Sequence, residues 1–214
     1  MELKHVARKG EKGHLPRGWD APMCGHESGV NSLTELEVRL LMSAKPYLQV
    51  RENESHTENA IEFGLRLLGI YGGDRAVVVP ALILHDIGWS RVSAEVMARS
   101  FCRRPDMKSL KLHEDESVRI AAAILGDVEF DAGRTGEILE IIDGHDTRPE
   151  ALSLNDKIVK DADRLTRYGK GFLFLKTYFS TPQWLLKLGL KKKIDTWFFL
   201  DASKEIAKEE LERH

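Results

Sequence analysis

Cysteine is nearly missing from this chain. Cys24 and Cys102 are the only two in 214 residues, and no CxxC spacing occurs. A disulfide framework is therefore not expected, and a reducing compartment is the default. The Cys24–His26 neighbourhood has no second cluster with which to build a thiolate metal site. The N-terminus lacks an apolar leader, and no stretch is long enough to span a bilayer, so the expected location is the cytoplasm. An excess of one charge is absent as well. A net charge of −2 leaves no electrostatic case for broad nucleic-acid or membrane binding. The local basic patches, one among Lys4, Arg8, Lys9, Lys12 and Arg17 and one at Lys191–Lys193, read as solvated surface. There is no internal repeat and no low-complexity tract.

What is present is an ordinary globular composition, 42% hydrophobic and 31% charged, in a length that suits one domain. Residues 1–31, rich in Gly, Pro and charge, read as an irregular arm. An N-cap at Asn31 or Ser32, with Glu35 completing a capping box, opens a helix that runs to about Lys45 and stops at Pro46. Further helices are expected over about 48–70, 77–85, 114–125, 134–143, 154–168 and 202–211, with a short one inside 90–112. Val77–Val79 alone would permit a strand, but no partner strand is evident. Pro80 is expected in the first turn of its helix. The fold class is all-α: a single-domain multi-helix bundle over 32–171, with residues 172–214 as a helical extension packed on it. The aromatics of that extension, such as Phe172, Tyr178, Trp184 and Trp197, suit core, a substrate-pocket wall or a homodimer face.

The organising stretch is Val77–Ser90, VVVPALILHDIGWS. An apolar run goes to a core, yet this one ends in His85–Asp86. A buried imidazole or carboxylate is costly unless it is paired or binds a metal. His56, His85, Asp86, His113, His145 and either Asp161 or Asp163 all sit at helix ends or on faces beside apolar residues. In a bundle such positions share one interior. Taken singly, each could be a helix cap or a surface residue. Taken together, imidazole and carboxylate suit divalent Mn, Fe, Mg, Zn, Co or Ni. Six groups could hold two ions. Neighbouring side chains on a helix diverge by about 100°, so Asp86 could bridge while His85 binds one ion. Asp161 and Asp163 diverge by about 200°, and the amphipathic pattern does not choose between them.

The series His56 … His85–Asp86 … Asp163, with the strings LILHDIG, HEDESVRIAAAIL and DADRL followed by Thr166–Arg167–Tyr168, resembles the HD-domain superfamily of metal-dependent phosphohydrolases over about 50–170. The resemblance implies metal ligation by His56, His85, Asp86 and Asp163, with His113 and His145 added in two-metal members. It implies hydrolysis of a nucleotide or other small phosphate ester by a metal-activated water that Asp86 holds. It also admits a di-iron oxygenase on the same scaffold and a non-catalytic nucleotide-binding module. Many relatives carry lysine after the HDIG string, where this chain has Trp89, and no GYP signature is present. Arg91 or Arg148 could supply the positive charge instead, although each reads first as a surface arginine, and Glu52, by default an exposed helix acid, is a further candidate carboxylate.

Overall fold

Helices make up the regular structure of the computed structural model, which describes residues 32–50, 53–100, 106–169 and 182–213. Nine α-helices and no strand occur among them: α1 (Glu35–Ala44), α2 (Asn53–Tyr71), α3 (Arg75–Leu84), α4 (Ala94–Ser100), α5 (Met107–Asp127), α6 (Ala132–Ile142), α7 (Leu154–Thr166), α8 (Gln183–Trp197) and α9 (Asp201–Arg213). Short 3₁₀ turns occupy Lys45–Tyr47 and Ile87–Arg91. The expected arm, Glu52, both cysteines and the aromatics between 172 and 179 lie outside the described residues.

Helix α3 is the axis. Every residue from Val77 to Leu84 is buried, which is why the polar pair that follows lands in the interior. The helix starts earlier than expected, at Asp74, whose carboxylate accepts the Ala76 N–H. Pro80 therefore lies well inside the helix rather than in its first turn. It brings no N–H for the carbonyl one turn back, a cost met by full burial among apolar neighbours. Helices α2, α6, α7 and α1 surround α3. Gly64 of α2 has no room for a side chain, since a Cβ there would stand 2.3 Å from Leu82 Cδ1. Its absence lets α2 and α3 close on each other.

Gly88 lies in the 3₁₀ turn, where a Cβ would stand 2.1 Å from the His113 carbonyl oxygen. Its N–H donates to Ser117 Oγ at 2.9 Å. This close approach seats the turn on α5 and brings His113 to Asp86.

Several boundaries differ from the sequence expectation. Thr34, not Ser32, caps α1, in a reciprocal box with Glu37. Glu37 is also held by Arg75 through two hydrogen bonds of 2.8 Å, a long-range partner that favours this register. Helix α5 begins at Met107, capped by Asp106, so His113 lies inside it and not at its edge. Leu154, at the start of α7, is exposed, while Ile158 and Leu165 further along it are buried. Several hydrogen bonds tie the C-terminal helices to the body: Asp161 accepts the N–H groups of Phe199 and Leu200, Tyr71 Oη accepts that of Ala202, and Tyr168 Oη donates to the Leu190 carbonyl.

Candidate metal centre

His56 comes from the first turn of α2, His85 caps the C-terminus of α3, Asp86 follows it, and Asp163 points in from α7. Their donor atoms converge. His56 Nε2 stands 3.1 Å from His85 Nε2, 3.4 Å from Asp86 Oδ2 and 3.2 Å from Asp163 Oδ1. His85 Nε2 lies 3.7 Å from Asp86 Oδ2 and 3.8 Å from Asp163 Oδ1.

A second group stands beside the first. His113 of α5 and His145, just past α6, bring their Nε2 atoms to 3.3 Å. Each lies 3.5 Å from Asp86 Oδ1. Asp146 Oδ2 completes this group at 3.8 Å from His113 and 3.9 Å from His145. Asp86 thus gives one oxygen to each group. All six sequence-predicted residues meet here. Asp161 does not, because it is turned away onto the Phe199 and Leu200 amides.

The donors fit a cation. Nitrogen and oxygen ligands about 2.1 Å from one ion stand roughly 3.0–3.4 Å apart, close to the shorter spacings here. The ring tautomers also fit. His85 Nδ1 faces the Leu82 carbonyl at 2.8 Å, and His145 Nδ1 faces that of Ile142 at 2.9 Å. A carbonyl only accepts, so both Nδ1 atoms carry hydrogen and both Nε2 atoms face the centre, where each would offer its lone pair to a cation. Trp89 Nε1 donates to Asp86 Oδ1 at 3.1 Å. Its ring stacks on His113 with centroids 4.0 Å apart. The Asn53 side-chain amide donates to the Asp86 carbonyl at 3.2 Å.

The electrostatics follow from burial and crowding. Burial pushes His145 down, but Asp86, Asp146 and Glu114 outweigh it and raise the imidazole to about 10. Burial likewise opposes His56, and the bond to Asp163 with the charge of Asp86 wins, raising it. His85 is lowered, by burial first and then by its histidine neighbours. Asp86 and Asp163 sit well below the usual carboxylate range. Burial resists this in both cases, while the surrounding histidines prevail for Asp86 and Arg167 with His56 and His85 for Asp163. Asp86 and Asp163 are thus favoured as carboxylates and His56 and His145 as imidazoliums, which is the charge pattern a cation would replace.

Three features escaped the sequence reading. Asp146 follows His145 as Asp86 follows His85, a repeated dipeptide that could have been noticed. Glu114 is fully buried and accepts the N–H groups of Asp146 and Thr147, each at 2.9 Å, and the Thr147 hydroxyl at 2.6 Å. Nothing local distinguishes it from the other acids of α5. Arg167 is the cation at the centre. Its Nη1 donates to Asp163 Oδ2 at 3.2 Å and its Nη2 lies 3.9 Å from Asp146 Oδ1. The two arginines that the sequence offers for that role, and that read first as surface residues, are engaged elsewhere. Arg148 bonds Asp156 and the Glu140 and Asp143 carbonyls, and Arg91 lies over Tyr47.

A family model described as HD domain matches residues 53–168, more than half the chain. A crystal structure of a predicted HD superfamily hydrolase from an uncultured Thermotogales bacterium is similar in fold. Its TM-score is 0.55 at 19% identity, over 82% of this chain and 85% of that one. No curated protein matches the sequence.

Proposed function

The chain belongs to the HD domain family of metal-dependent hydrolases, and from that membership we propose that it is a phosphohydrolase acting on a nucleotide or other small phosphate ester. The observation that carries the reading is Asp86, with one carboxylate oxygen among His56, His85 and Asp163 and the other between His113 and His145. In this reading His56, His85, Asp86 and Asp163 hold one divalent ion, and His113, His145, Asp86 and Asp146 hold a second. A divalent ion in such a place supplies Lewis acidity and draws the pKa of coordinated water toward neutrality.

The protein's own groups do the rest. His85 and His145 keep their tautomers through the Leu82 and Ile142 carbonyls, so their lone pairs need no reorganisation. Trp89 fixes the plane of the Asp86 carboxylate, which can accept a hydrogen bond from the attacking water and aim it in line with the phosphorus. Asp146 and Arg167 lie at the more open side of the centre, with side chains 24% and 29% exposed, where a substrate can enter.

Purified protein supplied with Mn, Co, Ni or Mg should hydrolyse a chromogenic phosphomonoester or phosphodiester, and Asp86→Ala should abolish this. Hydrolysis that survives the substitution rules the mechanism out. The shared carboxylate equally suits a di-iron oxygenase. Two irons per chain with oxygen uptake and no phosphate release would select that reading.

A further inference from the structure

Arg167 reaches both halves of the centre, through Asp163 on one side and Asp146 on the other. Asp163 turns Oδ1 to His56 and His85 and gives Oδ2 to Arg167, while Asp146 turns Oδ2 to His113 and His145 and Oδ1 toward Arg167. Both carboxylates are therefore divided between the donor groups and one guanidinium. That guanidinium also lies over Trp197, with its carbon 5.2 Å from the ring centre. Lys193 places Nζ 4.7 Å from the same ring centre, and no carboxylate pairs with it among the described residues. A third cation, Arg164, is already committed: it is buried and donates to the Trp197 carbonyl at 2.5 Å. Trp197 and Lys193 belong to α8, beyond the stretch matched by the family model.

We propose that Arg167 and Lys193, set on the Trp197 indole, form the anion anchor of this site and receive the phosphoryl oxygens of the substrate. The proposal rests on the phosphohydrolase reading and adds to it where recognition occurs and which helix supplies it. Arg167 offers more donors than its two carboxylates use, since a guanidinium carries five N–H bonds in a planar fork that matches an oxyanion. The indole lies under that fork without consuming a donor. A cation bound by Asp163 and Asp146 would draw on the same carboxylates, leaving the charge of Arg167 less compensated and more available to an incoming anion. Lys193 adds a charge on the same ring that meets no carboxylate among the described residues, and the half-buried indole offers an apolar wall to the rest of the ester.

The test uses full-length protein and three readouts: inorganic phosphate binding by calorimetry on manganese-loaded protein, KM and kcat for the phosphoester that wild type hydrolyses, and manganese content per chain. Arg167→Ala should weaken phosphate binding and raise KM at least tenfold, with manganese content unchanged. Arg167→Lys should recover part of that loss, Trp197→Leu should fall between them, and Lys193→Ala should cost a few-fold. Phosphate affinity unchanged in both Arg167→Ala and Lys193→Ala overturns the anchor while leaving the hydrolase reading intact. A loss of manganese in Arg167→Lys that accounts for its weaker phosphate binding also overturns it, because Arg167 would then act only by supporting Asp163 and Asp146. Wild type that neither hydrolyses phosphoesters nor binds phosphate refutes the functional reading itself, and the anchor with it.

Discussion

The two halves of the centre carry nearly the same donors and are supported in opposite ways. His56, His85 and Asp163 come from α2, α3 and α7, helices that pack directly on one another around Gly64 and the buried valines and leucines of α3. Their positions follow from apolar packing, which is close and stiff. His145 and Asp146 sit on the turn after α6, released by Gly144 at φ +145°. Buried charges hold that turn by its backbone. Glu114 takes its amide hydrogens, and Lys160 donates to the Gly144, His145 and Arg148 carbonyls. Burial pushes the Lys160 ammonium down to about 8, which shows how far the clamp is removed from water. A site can be placed by core packing on one side and by polar satisfaction on the other. The second kind should be the easier to disturb, because each buried hydrogen bond lost leaves its partner unsatisfied.

The largest effect is expected where the halves meet. Asp86→Ala removes a donor from both groups, so bound metal should fall beyond the roughly 100-fold affinity loss that an outer partner costs. Elemental analysis after dialysis reads this, and full retention of two ions would contradict a shared carboxylate. Next come Asp163→Asn and Asp146→Asn, which should each remove one ion and spare the other. Loss of both ions in either variant would mean that the halves do not bind independently.

The sharper contrast is Glu114→Gln. It touches no donor atom of the first group, so affinity should fall about 10- to 100-fold at the second ion only. Two resolved steps in a cobalt titration would show one step moving. Equal movement of both steps would remove the distinction drawn here.

The smallest effect is in pH. The fold favours the His145 proton, so the stability it contributes to metal-free protein is complete below about pH 6.5 and is lost as pH climbs toward 10. The metal-free Tm should fall across that window. Metal uptake must displace the same proton, so affinity should rise with pH between 6 and 8 and proton release should accompany binding in calorimetry. An affinity flat in pH would mean that His145 is not a ligand.

Much of the fold was legible in the chain. The end of α1 before Pro46, the start of α7 at Leu154 and the apolar run into His85–Asp86 are local signals, and each lies where the sequence places it. The first half of α5 was missed because MKSLKL reads as polar with scattered leucines and its cap, Asp106, follows a proline. Helix α8 was missed because lysines and apolar residues are mixed around it, leaving only Leu190 and Ile194 buried. The Pro80 register went wrong because proline propensity was weighed without the Asp74 cap that starts the helix upstream.

By itself the sequence determined an all-helical chain and the residue types that would gather at its interior, because periodicity, caps and breakers act over a few residues. Only the tertiary structure decided that Asp163 faces the histidines while Asp161 caps the C-terminal amides. It also decided that Asp86 divides its oxygens between two groups and that Arg167, not Arg91 or Arg148, stands beside them. These choices depend on how helices far apart in the chain dock and rotate against one another, and no short stretch carries that information.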